Sequence, residues 1–210
     1  MNVSSSSFAL AARHLLDLSR LFAKGRNNEI AYYNFLFSIA IAIRPRVILE
    51  LGTGPGNSSR AFIRALQYWK SVTGSDYFRL HSCDIDPALG QRLRGFGPIV
   101  QTYTMKTDEL ALHWATYKTE IDLLFIDADH SHEQSLRDFL NFSPWVRPDG
   151  LVVLHDTYPL TQKHEELRYS GGVWKTAQII KQEHCKDFEI MTVPALCGFS
   201  LLRRAGGRYF

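Results

Sequence analysis

Ionisable side chains are concentrated directly after two apolar runs of the sequence. The run Ile121–Ile126 is followed by Asp127-Ala128-Asp129-His130-Ser131-His132-Glu133, and the run 151–154 is followed by His155-Asp156-Thr157. Charged groups at the ends of buried strands need a compensating partner, such as a metal ion, an opposite charge or a polar substrate. These two segments therefore predict a site of catalysis or ligand binding.

A glycine-rich turn precedes both segments and predicts a nucleotide-type pocket. The apolar run Val47–Leu51 contains Glu50 and ends in Gly52-Thr53-Gly54-Pro55-Gly56, after which serines open a helix. Glycines let the backbone approach a ligand where a Cβ would clash, and the N-terminus of the helix offers unpaired N–H groups. A simple helix-capping turn is the alternative interpretation.

The spacing of these glycines separates two kinds of nucleotide pocket. A dinucleotide fingerprint is spaced G-x-G-x-x-G, whereas this turn is spaced G-x-G-x-G with an acidic residue two positions ahead. The arrangement resembles the first motif of class I S-adenosylmethionine-dependent methyltransferases. The resemblance implies that the acidic residue lies near the methionine end of the cofactor and that the turn lies beneath its sugar. The implied cofactor contacts in this segment are Glu50, Gly52, Thr53, Gly54, Gly56 and Ser58.

Strands and helices alternate along most of the chain. Strands are predicted at 47–51, 78–84, 98–103, 121–126, 151–154, 188–193 and 198–203, a turn at 147–150 and the start of a helix around Ser131. The run 121–126 is almost wholly apolar, as a strand covered on both faces should be. The alternation implies a mostly parallel sheet with helices on both faces and right-handed crossovers. The connection 194–197 is too short for a parallel crossover, so the last two strands form an antiparallel hairpin. The predicted fold class is a Rossmann-like, doubly wound α/β sheet of seven strands with N-terminal helices, and the resemblance covers roughly residues 46–203.

Two helices are predicted before the glycine turn, at 8–24 and 29–43. We interpret residues 1–45 as a helical cap and residues 46–210 as one compact methyltransferase domain. Related methyltransferases place substrate-covering segments in this part of the chain. Tyr32, Tyr33 and Phe37 are candidates to line a substrate pocket, although ordinary packing is the commoner role of such aromatic residues.

Carboxylates also follow the second and third strands. Asp84 is the candidate to accept both ribose hydroxyls, because a carboxylate offers two acceptor oxygens to two vicinal donors. Along the sequence, Asp84 lies farther from Gly56 than the about 20 residues that are typical of the dinucleotide fingerprint. The alternative is that Asp84 is a turn residue and that Asp86 caps a helix that Pro87 opens. Asp108, with Thr107, is the candidate contact for the adenine amino group or the cap of the next helix.

The segments I-D-x-x-H at 126–130 and H-D-T at 155–157 resemble the metal-dependent small-molecule O-methyltransferases. The resemblance implies that Asp127, which also borders the cofactor, and Asp156 bind a divalent cation, with His155 as a third ligand and a hydroxylated substrate completing the shell. Oxygen ligands suit Mg²⁺, whereas an imidazole favours Mn²⁺, Fe²⁺ or Zn²⁺. Better-understood relatives carry a carboxylate or amide at the position of His155, which leaves the cation open.

By the same resemblance, His130 is the candidate general base. Methyl transfer to a hydroxyl requires removal of its proton, and an imidazole with an ordinary pKa of about 6.5 can accept that proton at neutral pH. The alternative is that His130 and His132 are merely polar residues that open a helix. We prefer that structural interpretation for His132.

Composition narrows the class of protein. A chain of 210 residues fits one large domain, and 24 Lys and Arg against 21 Asp and Glu give a net charge of +3 without a cluster that would attract nucleic acid or anionic lipid. Cys83, Cys185 and Cys197 have no C-x-x-C spacing and are expected to be reduced core thiols. Without a signal-peptide pattern or a run of about 18 apolar residues, we expect a cytoplasmic protein with no membrane partner. A homodimer stays open.

Three rival functions remain beside methylation of a small-molecule hydroxyl. An NAD-dependent oxidoreductase is disfavoured by the glycine spacing and the antiparallel hairpin. A nucleic-acid methyltransferase would carry an N/D-P-P-Y/F signature where this chain has Asp127-Ala128-Asp129-His130. A non-catalytic cofactor-binding protein of the same fold is the third rival. Sugar or macrolide hydroxyls, catechol-like phenols and polyketides are all compatible substrates.

Overall fold

The computed structural model describes residues 27–159 and 171–205, so the helix predicted at 8–24 lies outside the described residues. The helices are α1 (Asn27–Ile43), α2 (Asn57–Thr73), α3 (Pro87–Gln91), α4 (Thr107–Tyr117), α5 (His132–Phe142) and α6 (Val173–Glu183), with 3-10 segments at Arg94–Ile99 and Ser143–Trp145. The strands are β1 (Val47–Leu51), β2 (Arg79–Asp84), β3 (Val100–Thr104), β4 (Ile121–Ile126), β5 (Val146–His155), β6 (Phe188–Val193) and β7 (Phe199–Arg204).

All seven strands belong to one sheet, in the order β3-β2-β1-β4-β5-β7-β6. The first five strands are parallel, whereas β7 runs antiparallel to both β5 and β6. The predicted Rossmann-like fold with an antiparallel C-terminal hairpin is therefore confirmed. The chain builds outward from β1 to β3 and then returns to add β4 on the other side, so the strand order reverses between β1 and β4. Ligands of open α/β sheets bind at the carboxyl ends of the strands beside such a reversal.

Alternate residues of each central strand enter two different cores. In β4, Leu123 and Phe125 pack with α1 and α2 on one face, while Leu124 and Ile126 pack with α4, α5 and α6 on the other. Side chains of a strand alternate between faces, so a strand covered on both sides must be apolar throughout. The predicted two-sided burial of Ile121–Ile126 is confirmed, since every residue of this strand is buried.

Helix α1 belongs to the first of these cores. Tyr33, Leu36 and Ala40 of α1 pack with Phe62 and Leu66 of α2. Glu29–Ile43 was predicted as a helix, and the structure confirms it with two additional N-terminal residues. The predicted boundary at residue 45 falls in the short turn that joins α1 to β1.

The start of β5 departs from the prediction. The segment 147–150 was predicted as a turn before a strand at 151–154, but β5 begins at Val146 and its register against β4 shifts between Ile121 and Leu123. The Asp122 carboxylate accepts hydrogen bonds from the backbone N–H groups of Arg46 (2.6 Å) and Val47 (2.7 Å). It also lies 2.8 Å from Arg147 Nε. This buried carboxylate ties the starts of three strands together and extends β5 through the predicted turn.

Two smaller predictions also need correction. The strand predicted from Pro98 begins at Val100, because Pro98 lies in a 3-10 segment. The cap predicted at Thr107 or Asp108 is wrong, since Lys106 occupies the N-cap position of α4 and both predicted residues lie within the first turn. By contrast, the predicted start of α5 at Ser131 is confirmed by a hydrogen bond from Gln134 N to Ser131 Oγ (3.2 Å).

Two expectations drawn from the composition concern the state of the cysteines and the presence of membrane-spanning segments. All three cysteines are free thiols, but only Cys83 lies in the core, because Cys185 is exposed and Cys197 is half-buried. Among the described residues, no helix is both long and apolar enough to cross a bilayer.

Candidate active site

A cavity of about 410 Å³ opens at the carboxyl ends of β1, β4 and β5, beside the reversal of strand order. Its walls come from four parts of the chain: α1, the glycine turn, the strand ends, and the loop between β6 and β7. The lining residues are Asn28, Glu29, Tyr32, Gly52, Thr53, Gly54, Pro55, Asn57, Ser58, Asp127, His130, His155, Asp156, Leu196 and Cys197. The structure thus brings the two ionisable segments and the glycine turn into one space.

Each glycine of the turn has a left-handed backbone, with φ of 95° at Gly52, 48° at Gly54 and 80° at Gly56. A Cβ on Gly52 would lie 2.0 Å from the carbonyl oxygen of Asp127, so a side chain there would push β1 away from the end of β4. On Gly54 it would meet none of the described atoms within 4 Å and would point into open space. Gly56 is the N-cap of α2. The turn therefore leaves room for a ligand above Gly54 and presents it with a helix N-terminus.

Glu50 is completely buried beneath this turn. Its carboxylate accepts hydrogen bonds from Ser58 Oγ (2.6 Å), Ser59 Oγ (2.6 Å) and Ser82 Oγ (2.5 Å). Burial raises the pKa of Glu50 to about 7, although the three hydroxyl groups oppose the shift. Glu50 is not among the described residues that line the cavity, so its predicted contact with a cofactor stays a prediction. It holds Ser58, which does line the cavity.

A second cavity, of about 380 Å³, lies on the other side of Gly52. Asp84 and Asp108, the predicted ribose and adenine contacts, both line it. Asp84 Oδ2 accepts hydrogen bonds from the N–H groups of Thr53 (2.9 Å) and Gly54 (3.0 Å), so the carboxylate also fixes the glycine turn. The predicted cap at Asp86 is confirmed by a hydrogen bond from Ala88 N to Asp86 Oδ1 (2.8 Å).

The adenine-side candidate, Asp108, belongs to a polar network that the sequence did not predict. Gln134 Nε2 lies 3.0 Å from Thr107 Oγ1, 3.3 Å from Asp108 Oδ1 and 2.9 Å from Asp138 Oδ1. Asp138 is completely buried, and burial raises its pKa to about 6. Helix α5 therefore positions the start of α4 at the second cavity through one amide side chain.

Two carboxylates and two imidazoles converge in the first cavity. His155 Nδ1 lies 3.1 Å from Asp127 Oδ1 and 3.5 Å from Asp156 Oδ1. His130 Nε2 lies 3.3 Å from Asp156 Oδ2 and 3.9 Å from Asp127 Oδ1. Asp156 is only 4% exposed, so its charge must be compensated by these neighbours or by a ligand.

His155 is oriented by acceptors on both sides of its ring. Besides the carboxylates that face Nδ1, the carbonyl oxygen of Leu196 lies 2.9 Å from Nε2. Burial by itself lowers the pKa of His155, but the charge and hydrogen bond of Asp127, the charge of Asp156 and the Leu196 carbonyl outweigh burial and raise the pKa to about 9. This direction favours the charged imidazole, which can donate from both nitrogens to the acceptors around it.

Three side chains of this cavity form a candidate metal site. Asp127, His130 and Asp156 each offer one ligand atom, and these atoms all lie within 4.8 Å of one another. The set contains His130, predicted as the base, while the ligand role predicted for His155 stays a prediction. Two carboxylate oxygens and one imidazole nitrogen at this separation fit a divalent cation. His132, by contrast, is tied to α6 by a contact of 2.8 Å between Nδ1 and Thr176 Oγ1, in keeping with the structural interpretation.

Tyr32 is a site residue that the sequence named only as one of three candidates. Its hydroxyl donates a hydrogen bond to Asp127 Oδ2 (2.9 Å), and its ring lines the cavity. Tyr33 faces the core instead, and Phe37 packs against that core. Tyr32 and Tyr33 lie on different faces of α1. The sequence spacing alone did not show which of these faces meets the ends of the strands.

The loop between β6 and β7 was missed as part of the site. Leu196, Cys197 and Gly198 are all left-handed, with φ of 55°, 66° and 92°. Leu196 and Cys197 line the cavity, and the Leu196 carbonyl orients His155. Strained backbone of this kind is concentrated at functional sites. In this loop the sequence signal is the glycine at position 198. The structure shows why glycine is needed there, since a Cβ would lie 2.3 Å from Tyr158 N.

The fold and the two cavities define the class of nucleotide-binding, Rossmann-like methyltransferases. Residues 49–157, more than half of the chain, match the family model described as "Methyltransferase domain". The chain therefore belongs to this methyltransferase domain family, and the predicted class I relationship is confirmed.

A curated relative and several solved structures extend the comparison. The uncharacterized protein y4gI of Sinorhizobium fredii (strain NBRC 101917 / NGR234) is 27% identical over an alignment of 148 residues, and the match covers 64% of this chain but only 15% of the relative. The O-methyltransferase TomG of Streptomyces achromogenes, involved in tomaymycin synthesis and solved with SAM, has a TM-score of 0.67 at 19% identity and covers 84% of this chain and 81% of its own. An O-methyltransferase from Bacillus cereus, solved with SAH, has a TM-score of 0.64 at 17% identity and covers 83% and 80%. At identities this low, the TM-scores show a shared fold and nothing more.

Proposed function

We propose that this chain is an S-adenosylmethionine-dependent methyltransferase that methylates a hydroxyl group of a small molecule with the help of a divalent cation. One observation carries the proposal: Asp127, His130 and Asp156 converge within 4.8 Å in the cavity that the glycine turn lines. A methyl donor and the groups that deprotonate a hydroxyl would then share one space. The names of TomG and the Bacillus cereus enzyme, both O-methyltransferases solved with SAM or SAH, support the same chemistry.

The two cavities would hold the two ends of the cofactor. The second cavity would take the adenosine end, with Asp84 toward the ribose hydroxyls and Asp108 toward the adenine. The open space above Gly54, beside Thr53 and Ser58, would take the methionine end. When bound, the cofactor supplies the methyl group. The chain holds it in line with the acceptor and keeps both beside the carboxylates.

The carboxylates would hold a cation from one side. Asp127 and Asp156 supply the negative charge, and the cation would supply the positive charge that lowers the pKa of the acceptor hydroxyl. His130 has two candidate roles that exclude each other, because a nitrogen lone pair that binds a cation cannot accept a proton. We assign it the role of base. His155, whose Nδ1 lies 3.1 Å from Asp127 Oδ1, helps to orient that carboxylate.

The first experiment is a calorimetric titration with S-adenosylmethionine, its demethylated product and NAD⁺. We expect low-micromolar binding of the first two. Preference for NAD⁺ would overturn the proposal in favour of the oxidoreductase. A panel of hydroxylated small molecules with labelled S-adenosylmethionine then tests turnover, and binding without any methylation would favour a non-catalytic cofactor-binding protein.

The second experiment separates the cation from the base. Exhaustive chelation should abolish methylation and add-back of Mg²⁺ or Mn²⁺ should restore it, whereas full activity after chelation would remove the cation from the mechanism. His130→Ala should leave Mn²⁺ binding intact and lower the rate about 10²- to 10⁴-fold, with partial recovery at high pH. Loss of Mn²⁺ binding in this variant would make His130 a ligand instead.

A further inference from the structure

Helix α1 reaches the carboxylate cluster through the hydroxyl group of Tyr32. Tyr32 Oη donates to Asp127 Oδ2 at 2.9 Å. The acceptor is a carboxylate, and hydrogen bonds to charged acceptors are the stronger kind. This contact ties α1 to a residue that directly follows β4.

The ring of Tyr32 is held so that the hydroxyl cannot turn away. It packs edge-on against His155, with 5.0 Å between ring centroids, and at a tilt against Phe199, with 5.6 Å between centroids. A carboxylate oxygen can only accept, so the phenol hydroxyl is the donor in this contact.

The two oxygens of Asp127 are thereby assigned to different partners. Oδ2 faces the Tyr32 hydroxyl, while Oδ1 faces His155 and, farther away, His130. Two donors on opposite oxygens fix the plane of a carboxylate, as groups around metal ligands commonly do. Oδ1 is consequently the oxygen of Asp127 that is turned toward the imidazoles.

We propose that Tyr32 is a positioning residue, whose hydroxyl holds Asp127 in the orientation in which it converges with Asp156 and His130. The hydroxyl acts through Asp127 and does not contact the molecule that receives the methyl group. Because α1 packs on α2, the position of the N-terminal helix is thereby linked to the geometry of the cluster. The proposal builds on the proposed function only where it concerns the cation.

The contact itself is tested by a double-mutant cycle in chemical denaturation. Tyr32→Phe keeps the ring and its packing and removes only the hydroxyl, and Asp127→Ala removes the acceptor. We expect the two substitutions to be coupled by about tenfold or more in the folding equilibrium constant, the scale of a hydrogen bond to a charged group. Additive effects would overturn the proposal.

The positioning role is tested by titrating the metal-free protein with Mn²⁺ and following free Mn²⁺ by electron paramagnetic resonance. Tyr32→Phe should weaken Mn²⁺ binding about 10- to 100-fold, the usual loss when a group that orients a metal ligand is removed. Tyr33→Phe is the matched control on the same helix, since Tyr33 faces the core, and should bind Mn²⁺ as the wild type does.

Unchanged Mn²⁺ binding in Tyr32→Phe would overturn the positioning role even if the cycle shows coupling. This comparison needs only the two tyrosine variants, so it stands if Asp127→Ala does not fold. If the wild-type protein binds no Mn²⁺, the part of the proposed function that requires a cation is refuted. The double-mutant cycle alone would then decide for or against the Tyr32 contact.

Discussion

The buried carboxyl group of Glu50 makes the stability of the protein depend on pH in a predictable direction. Its pKa is raised from 4.5 to about 7 by burial, so between these values the folded protein binds a proton that the unfolded chain has released. Stability from this group is therefore full below pH 4.5 and is lost as the pH rises to about 7. At about 1.4 kcal/mol per pH unit, the shift corresponds to about 3 kcal/mol.

Glu50→Gln removes this titration and keeps the shape of the side chain, and the surrounding serine hydroxyls can rotate to suit the amide. We expect the free energy of unfolding of Glu50→Gln, relative to wild type, to rise by about 3 kcal/mol between pH 4.5 and pH 7.5. The measurement is urea denaturation of both proteins without cofactor across this range.

Taking the difference between the two proteins cancels the other groups that titrate in the same window. Glu183→Gln, at the exposed end of α6, is the control and should give a flat difference. A flat difference for Glu50→Gln would refute the reasoning, because it would mean that the Glu50 carboxylate is as well stabilised inside the protein as in water.

Three further predictions concern cofactor binding, the methylation reaction and the stability of the sheet. Gly54→Val should fill the open space above the turn and weaken S-adenosylmethionine binding at least about tenfold in calorimetry, while its left-handed backbone should cost about 1–2 kcal/mol in stability; equal affinity would place the cofactor elsewhere. Asp156→Asn should fold normally, because φ is 59° there and Asn tolerates this conformation as Asp does, yet methylation should fall strongly while cofactor affinity is kept. Asp122→Ala should lower the free energy of unfolding by about 3 kcal/mol, because two backbone N–H groups lose their acceptor, and undiminished stability would contradict the tie between strands.

Much of the fold could be predicted because its signals are local. The run Ile121–Ile126 is apolar at every position, and only a strand covered on both faces needs that pattern. The turn from Gly52 to Gly56 needs left-handed backbone, which glycine supplies at little cost. The short connection at 194–197 forced an antiparallel hairpin. Each of these inferences depends on neighbours in sequence.

The predictions that failed depend on contacts between distant residues. β5 begins at Val146 because Arg147 meets Asp122, and Gly150 lets the strand approach the backbone of β4. Thr107 does not cap α4, and its hydroxyl instead faces the amide of Gln134 on another helix. No local pattern encodes such partners.

The sequence predicts which residues gather at the site, because parallel strands place their carboxyl ends on one edge and Asp127, His155 and Asp156 lie at or directly after such ends. How these residues are used depends on tertiary contacts. The fold brings His130 to the two carboxylates, places the Leu196 carbonyl against His155 and brings the Tyr32 hydroxyl onto Asp127. Residue type and strand order specify a position only to within a strand end, whereas a hydrogen bond depends on ångström-scale packing of segments far apart in the chain.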